Sequence, residues 1–353
     1  MKKLVMIFTV LVFFFFGVNC ASADNWTKLD MPGATNTIAW GIDGTNIVGT
    51  YADATGNHGF LYNGTTWINL DMPGATNTCP RGISGNNIVG NYADATGIHG
   101  FLYNGTTWIN LDMPGASDTR LYGIDGSNIV GNYADAKRRW HGFLYNGKIW
   151  TTLDMPGVFT CPYDIDGSNI VGIYLYNGWQ NFLYDGKNWT TLYPPGTYSY
   201  SVGAFGIDGN NIVGEYLNTN GLHGFLYNGT TWINLDMPGA RYTDPRGISG
   251  NKIVGYYYED EDDFVFISHT PHGFIYTIPA PLPASKINVS GGIVTVSFPS
   301  SLGSSYSIES STDLVHWSSV TNVTADSNGK GTFSELMSGQ AKYYRVLNQT
   351  QLK

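Results

Sequence analysis

A phrase of about 40 residues occurs six times in this chain and constrains its fold more than any other feature. Its marker is a tryptophan, and successive markers are 41, 41, 42, 39 and 43 residues apart. The six markers are Trp26, Trp67, Trp108, Trp150, Trp189 and Trp232. A regular period of this length is typical of repeat architectures, in which each repeat forms one supersecondary unit.

Four short phrases recur in the same order within each repeat, and each has the composition of a β-strand. In the second repeat they are Trp67–Gly74 (WINLDMPG), Arg81–Gly85 (RGISG), Asn87–Gly90 (NIVG) and His99–Gly105 (HGFLYNG). Ile, Val, Phe, Tyr and Trp favour strands, and the Asn-Gly and Asp-Gly pairs are typical of tight hairpin turns. Four antiparallel strands in about 40 residues predict one propeller blade.

The order of the phrases predicts six blades closed by the N-terminal strand. The Trp-x-x-Leu phrase occurs first at Trp26, before any other phrase, and none follows the last strand at Phe274–Tyr276. If the first strand pairs with the final three, the ring has no open sheet edge. We therefore predict an all-β fold with a six-bladed β-propeller over residues 24–278, followed by a Pro-rich linker over residues 279–285.

The composition changes after about Ser285, as it does at a domain boundary. Serine and threonine become frequent, and alternating apolar residues predict six more strands. These strands are predicted at Lys286–Val289, Ile293–Phe298, Tyr306–Glu309, Trp317–Val323, Gly331–Leu336 and Tyr343–Leu347. We predict a small C-terminal β-sandwich module over residues 286–349.

Residues 1–23 have the three parts of a secretory signal peptide. Lys2–Lys3 precede an apolar run at Leu4–Val18, and Ala21–Ala23 supplies a cleavage site. The apolar run is shorter than the roughly 20 residues that a membrane span needs. Lipidation at Cys20 is a disfavoured alternative, because a polar residue precedes it where small residues are usual. We predict an extracellular or periplasmic protein with no stable membrane insertion after cleavage.

Charge and cysteine content limit the partners of the chain. From Asp24 onward there are 16 basic and 27 acidic residues, which gives a net charge of −11. This charge repels phosphate backbones and anionic membrane surfaces, so we predict no nucleic-acid partner. Cys79 and Cys161 occupy the same place in repeats that lie two units apart, too far for a disulfide, and we predict free thiols.

The phrases HGFLYNG, GIDG and NIVG resemble the HAF-type extracellular repeat, in which a strand begins with His-Ala-Phe. In this chain glycine replaces the alanine, at Gly59, Gly100, Gly142, Gly224 and Gly273. The resemblance covers roughly residues 26 to 277. It implies an extracellular location and a propeller fold, but no catalytic residue.

The C-terminal segment resembles small β-sandwich modules that are common on secreted bacterial proteins. The residues that carry this resemblance are Tyr306–Leu314, Trp317 and Tyr343–Val346. Those modules have no established chemistry, so the resemblance implies no function for the segment.

The predicted blades vary mainly in the loops on one side of the ring. The loop before each innermost strand ends in a large aromatic residue or an arginine, which we expect to rim the mouth of the central channel. These residues are Trp40, Arg81, Tyr122, Tyr163, Phe205 and Arg246. The loop between the second and third strands varies in parallel, and it contributes Trp140 and Trp179.

These eight residues are the predicted ligand-binding residues. Aromatic faces stack on the apolar faces of sugars, and arginine donates paired hydrogen bonds to hydroxyl groups or carboxylates. A glycan, a peptide or a cell-surface polymer is therefore the predicted partner. Ordinary variation of surface loops is the alternative explanation.

The repeated histidines and aspartates are predicted to be structural. One histidine in each blade cannot converge on a metal ion, because facing sheets lie about 10 Å apart. We expect the histidines to donate to loop carbonyls and the aspartates before Met-Pro-Gly to bond turn backbone. The acidic loop Glu259–Asp263 lacks the order of a calcium loop, and calcium binding there stays open.

The sequence predicts a secreted, non-catalytic binding module that recognises a glycan or surface polymer on one propeller face. We predict no cofactor, no metal and no catalytic residue. Two alternatives stay open, a structural scaffold without a small ligand and a propeller-type enzyme active on glycans, since propellers host many chemistries.

Overall fold

The computed structural model describes residues 25–196, 203–219, 221–259, 270–279, 286–299, 305–311, 318–324, 326–327, 330–336 and 343–348. The predicted signal peptide and Cys20 lie outside these residues. The chain divides into two compact units at Ile278–Pro279, which are described separately. Within the described ranges, no helix has the length and hydropathy required to span a bilayer.

The larger unit confirms the predicted all-β six-bladed propeller. It contains six antiparallel sheets of four strands each. The innermost strand of each blade packs against those of the two neighbouring blades, and the innermost strand of the sixth blade packs against that of the first. The blades therefore form a closed ring around a central channel.

Strands are numbered in chain order, from β1 (Trp26–Lys28). Blade 1 contains β2 (Asn36–Asp43), β3 (Asn46–Asp53), β4 (Gly56–Tyr62) and β5 (Trp67–Asn69). Blade 2 contains β6 (Asn77–Ser84), β7 (Asn87–Ala93), β8 (Ile98–Tyr103) and β9 (Trp108–Asn110). Blade 3 contains β10 (Asp118–Asp125), β11 (Asn128–Ala134), β12 (Trp140–Tyr145) and β13 (Trp150–Thr152).

Blade 4 contains β14 (Thr160–Asp166), β15 (Asn169–Leu175), β16 (Trp179–Tyr184) and β17 (Trp189–Leu192). Blade 5 contains β18 (Gly203–Asp208), β19 (Asn211–Asn218), β20 (Gly221–Tyr227) and β21 (Trp232–Asn234). Blade 6 contains β22 (Ala240–Ser249), β23 (Lys252–Glu259) and β24 (Pro271–Thr277), with β1 as its outermost strand.

Strand β1 lies antiparallel to β24, at the outer edge of blade 6. The register runs from Trp26 opposite Tyr276 to Lys28 opposite Phe274. The backbone N–H of Leu29 then donates to the carbonyl of Gly273 at 2.8 Å. The sheet of blade 6 thus takes strands from both ends of the propeller unit.

The core of each blade is built around a phenylalanine and the marker tryptophan. In blade 1 the Phe60 ring is fully buried and meets Trp67 edge-on, with ring centroids 4.9 Å apart. The phenylalanine packs directly over Gly49, where a Cβ atom would lie 2.7 Å from the Phe60 ring and 2.1 Å from the Ile38 carbonyl oxygen. This contact explains why the NIVG phrase requires glycine at its last position.

The hairpins between the first two strands of each blade link neighbouring blades on one side of the ring, here called the hairpin side. The Asp43 carboxylate accepts the backbone N–H of Gly85 at 2.6 Å, and the Ser249 hydroxyl accepts that of Gly44 at 3.0 Å, which joins blade 6 to blade 1. The same bond is made by Ser84, Asp125, Asp166 and Asp208. The opposite side carries the variable loops and is called the loop side.

The C-terminal unit contains two three-stranded sheets. One sheet has β25 (Lys286–Ser290), β26 (Ile293–Pro299) and β29 (Lys330–Leu336), and the other has β28 (Ser318–Thr324), β27 (Ser305–Ser311) and β30 (Tyr343–Asn348). Both sheets contribute to one buried cluster: Val294, Val296, Phe298, Tyr306, Ile308 and Phe333. Alternate residues of β26 enter this cluster, as expected for a strand with one buried face.

Candidate functional site

Each of the six predicted channel residues is the extra residue of a β-bulge in its innermost strand. In blade 1 the pairing moves from Ala39 opposite Gly49 to Gly41 opposite Val48, which leaves Trp40 unpaired. The same shift occurs in the other five blades. A bulge redirects a side chain, and here all six side chains line one central cavity. We call this set the channel ring: Trp40, Arg81, Tyr122, Tyr163, Phe205 and Arg246.

Neighbouring members of the channel ring stack on one another. The Arg81 guanidinium lies 3.7 Å from the Trp40 ring and 6.0 Å from the Tyr122 ring. Arg246 lies 3.7 Å from the Phe205 ring and 5.2 Å from the Trp40 ring. The Tyr163 ring packs against the rings of Tyr122 and Phe205, with centroid distances of 5.4 and 5.1 Å. The six side chains thus form a continuous layer across the channel.

The channel ring lies inside the channel, which corrects the predicted position at the loop-side rim. Trp40 is three residues before the hairpin end of β2, and every other member has the same offset in its own strand. The innermost strands begin earlier than the sequence pattern suggested, because residues such as Asn36–Ala39 already pair with β3. The cavity continues from the ring over Gly41 and Ile42, toward the hairpin side.

The cavity beside the channel ring is small. Its volume is about 70 Å³, whereas pockets for drug-sized ligands occupy about 300–1,000 Å³. It therefore has room for a few water-sized groups but not for a sugar ring.

One carboxyl group lines this cavity. Asp164 stands where the other blades have glycine after the ring residue, and it accepts the backbone N–H of Ile207 at 3.0 Å. Burial raises the pKa of Asp164 to about 7, because desolvation disfavours the charged form.

A buried acidic pair accompanies Arg246. The guanidinium donates to Asp244 at 2.5 Å and to the Tyr256 hydroxyl at 3.2 Å. Glu215 is also buried, and burial together with the neighbouring Asp244 raises the pKa of Glu215 above its ordinary value. The repeat pattern did not predict this pair, although Glu215 follows the NIVG phrase where the other repeats have no acidic residue.

Five blades carry a His–Asp clamp on the loop side. In blade 1, Nδ1 of His58 lies 2.7 Å from the Asp71 carboxylate, whose other oxygen accepts the backbone N–H of Gly59 at 2.9 Å. The other clamps are His99–Asp112, His141–Asp154, His223–Asp236 and His272–Asp30. Nδ1 of each histidine therefore contacts a carboxylate rather than the predicted loop carbonyl. The hydrogen bond to Asp71 raises the pKa of His58.

Blade 4 has no such clamp. The ladder between β16 and β17 pairs Asn181 with Leu192. This register places Gln180 and Tyr193 at the positions that histidine and aspartate occupy in the other blades. Exposed apolar side chains cover this part of the blade: Tyr193 is 63% exposed, Tyr176 61%, Leu175 45% and Trp179 40%. The Phe159 ring packs against Trp179 with centroids 5.8 Å apart. We call these residues the blade-4 surface: Phe159, Leu175, Tyr176, Trp179 and Tyr193.

Trp140 and Trp179 occupy the same position in blades 3 and 4, at the start of the third strand. The Arg120 guanidinium lies 4.8 Å from the Trp140 ring and is held by Asp118 at 3.1 Å. Trp179 has no such cover among the described residues, and it is among the exposed large side chains. The predicted ligand-binding residues therefore fall into two groups, six in the channel and two near the loop side.

The predicted acidic loop is only partly described. Glu259 forms an ion pair with Lys28 at 2.8 Å, whereas residues 260–263 lie outside the described ranges. Calcium binding by this loop stays untested. Cys79 and Cys161 are both free thiols.

No protein-family model matches the chain, and no curated protein matches its sequence. Several solved structures resemble its fold. The SapL1 lectin in complex with alpha methyl fucoside is 14% identical, with a TM-score of 0.42, 67% of this chain covered and 97% of that chain. The fucose-specific lectin from Aleuria aurantia is 16% identical, with a TM-score of 0.41, 72% of this chain and 99% of that chain.

The β-propeller domain of the Trilobed protease from Pyrococcus furiosus is 12% identical, with a TM-score of 0.43, 74% of this chain covered and 91% of that chain. These proteins differ in what their names say they do. At such identities and TM-scores the likenesses carry no argument about function.

Proposed function

We propose that this protein is a secreted, non-catalytic binding module that recognises a carbohydrate through the blade-4 surface. The observation that supports the proposal is the exposure of Tyr176, Trp179 and Tyr193 in one blade. In blade 1 the equivalent positions hold Asp53, Asn57 and Asp71, all polar. Aromatic rings that stand exposed together can stack on the apolar faces of sugar rings.

The charge of the protein favours a neutral sugar. The net charge of −11 from Asp24 onward opposes a polyanionic chain. A contiguous apolar patch with polar residues around it is typical of an interaction site, whereas single exposed apolar residues are ordinary. The exposed residues Ile68 and Ile109 lie on two different blades and are not aromatic.

The test starts with a glycan array probed with residues 24–353, followed by calorimetry on any ligand found. Trp179→Ala should weaken binding by about 1–3 kcal/mol if the ring is a central contact. Trp140→Ala is the matched control, because it removes the same residue from the same position of blade 3 and should leave affinity unchanged. Equal losses in both variants, or a protein that binds only itself, would contradict the proposal.

We also propose the finer organisation predicted from the sequence: a signal peptide over residues 1–23, a ring closed by β1 and a C-terminal β-sandwich module. The pairing of Trp26 with Tyr276 and the shared cluster of the two C-terminal sheets support it. Mass spectrometry of the secreted protein should find Asp24 at the N-terminus. Removal of residues 24–30 should lower the cooperativity of unfolding, and an unchanged transition would argue against closure by β1.

A further inference from the structure

The channel ring is electrostatically asymmetric. The Arg81 and Arg246 guanidinium groups lie on the two sides of Trp40, at 3.7 and 5.2 Å from its ring. The other half of the ring is aromatic and uncharged, with Tyr122 and Tyr163 in contact. Two arginines therefore flank one position of the channel, next to the small cavity that both line.

The two arginines differ in their counter-ions. Arg246 is neutralised by Asp244, and both side chains are largely buried. Arg81 has no carboxylate within ion-pair distance among the described residues. By contrast, Arg120 pairs with Asp118 and Arg139 pairs with Asp135. A guanidinium that is stacked on Trp40 but lacks a counter-ion can still bind an anion.

Two buried donors at this position also lack acceptors. The Nε atoms of Arg81 and Arg246 are both buried, and neither has a hydrogen-bond partner in the described part of the chain. A buried donor without a partner costs free energy, and Oδ1 of Asp244, next to Arg246, is likewise a buried acceptor without a partner among the described residues. Carboxylate oxygens match the donor geometry of arginine particularly well.

The hairpins that follow the two arginines carry serine where the other four hairpins carry aspartate. Three residues after an uncharged ring member stands aspartate, at Asp43, Asp125, Asp166 and Asp208. Three residues after Arg81 and Arg246 stand Ser84 and Ser249 instead. The serines still accept the backbone N–H of the next hairpin, at 3.1 and 3.0 Å. Only the charge is lost, so the hairpin bond does not require the exchange.

We propose that the cavity beside the channel ring binds a small monocarboxylate of the size of acetate. The carboxylate oxygens accept hydrogen bonds from Arg81, in the part of the cavity that Arg246 also lines. The space of about 70 Å³ limits the ligand to a few heavy atoms. Asp164 faces the same cavity, and because burial raises its pKa to about 7, its carboxyl can be protonated and donate to the anion. This site is separate from the blade-4 surface and does not depend on the proposed carbohydrate.

The test follows the indole N–H resonance of Trp40 during titration of the full mature chain with sodium acetate at constant ionic strength. We expect a saturable shift with acetate and none with acetamide, the neutral molecule of the same shape. Glucuronate carries the same carboxylate on a sugar ring, and we expect no binding because the ring does not fit. Saturable binding of glucuronate would overturn the size limit and the proposal with it.

Three variants distinguish a specific site from general attraction. Arg81→Met should weaken acetate binding by about tenfold or more, since the charged donor is removed. Ser84→Asp should also weaken it several-fold, and it keeps the hairpin bond that aspartate makes in four other blades. This second variant keeps the proposal testable if Arg81→Met fails to fold. Arg120→Met removes a guanidinium that is already paired with Asp118 and should change affinity by less than about twofold. No acetate binding, or equal weakening in all three variants, would overturn the proposal.

Discussion

Blade 4 and the five other blades share one backbone but use the same positions differently. In blade 1, His58 and Asp71 join the third strand to the outer strand and satisfy the backbone N–H of Gly59. Blade 4 replaces the pair with Gln180 and Tyr193, and its loop exposes aromatic side chains. A repeat that is stabilised by its neighbours can lose one local clamp, and we propose that the aromatic residues exposed in its place bind a ligand.

Substitution of the glycine beside the clamp should give the largest change in stability among the tests of this comparison. In blade 1 a Cβ atom on Gly59 would lie 2.5 Å from the Leu70 carbonyl oxygen and 2.8 Å from Cδ of Pro80. Blade 4 has Asn181 at this position, and the next blade has Ala204 where blade 2 has proline. Gly59→Asn should therefore lower the free energy of unfolding by about 2–3 kcal/mol, measured by chemical denaturation.

The reverse substitution is the control. Asn181→Gly removes a buried amide whose nitrogen and oxygen both lack partners, so it should change stability by less than about 1 kcal/mol. If both substitutions cost the same free energy, the difference between the two kinds of blade does not arise from this packing.

The clamp carboxylate should have a smaller effect. Asp112→Ala leaves the backbone N–H of Gly100 and Nδ1 of His99 without their acceptor, and we expect a loss of about 1–2 kcal/mol. Tyr193→Ala removes the equivalent residue of blade 4, which is 63% exposed, and should cost less than about 0.5 kcal/mol. A larger loss for Tyr193→Ala would show that blade 4 depends on this side chain for stability.

The pH dependence of the clamp should be smaller still. Because the hydrogen bond to Asp71 raises the pKa of His58 above 6.5, the protonated ring is favoured in the folded state. This stabilisation is present below the unfolded pKa and is lost as pH rises through the folded pKa. We expect less than about 1 kcal/mol at this partly exposed site.

Chemical denaturation of the wild type and of His58→Gln, at pH values below and above the pKa of His58, checks this expectation. The difference between the two stability profiles separates the contribution of His58 from that of other titrating groups such as Asp164. The substitution copies the glutamine of blade 4 and should flatten the profile. An identical profile in both proteins would mean that His58 does not contribute.

The fold could be predicted from the sequence because its signals are local and occur six times. Turn pairs such as Asn63-Gly64 and the alternating strands define the elements, and the period of the marker tryptophans defines the blades. The bulges could not be predicted, because the one-residue shift at Trp40 depends on pairing with β3. The predicted position of the channel ring, at the rim of the channel, was wrong for the same reason.

The candidate site was predictable only in part. Trp179 was identified from its loop, but the aspartate partners of the histidines were not, since His272 and Asp30 are 242 residues apart in the chain. The joint loss of histidine and aspartate in blade 4 is visible in the aligned repeats as Gln180 and Tyr193. That paired departure from the repeat is the signal that could have found the blade-4 surface.

The most direct test of the account is the affinity of a clamp-restoring variant for the carbohydrate that the wild type binds. Gln180→His combined with Tyr193→Asp gives blade 4 the residues of the other blades and removes one ring from the surface. Calorimetry should show affinity reduced by about tenfold or more, with the free energy of unfolding unchanged or raised. Unchanged affinity in a folded double variant would contradict the claim that blade 4 exchanged its clamp for a binding surface.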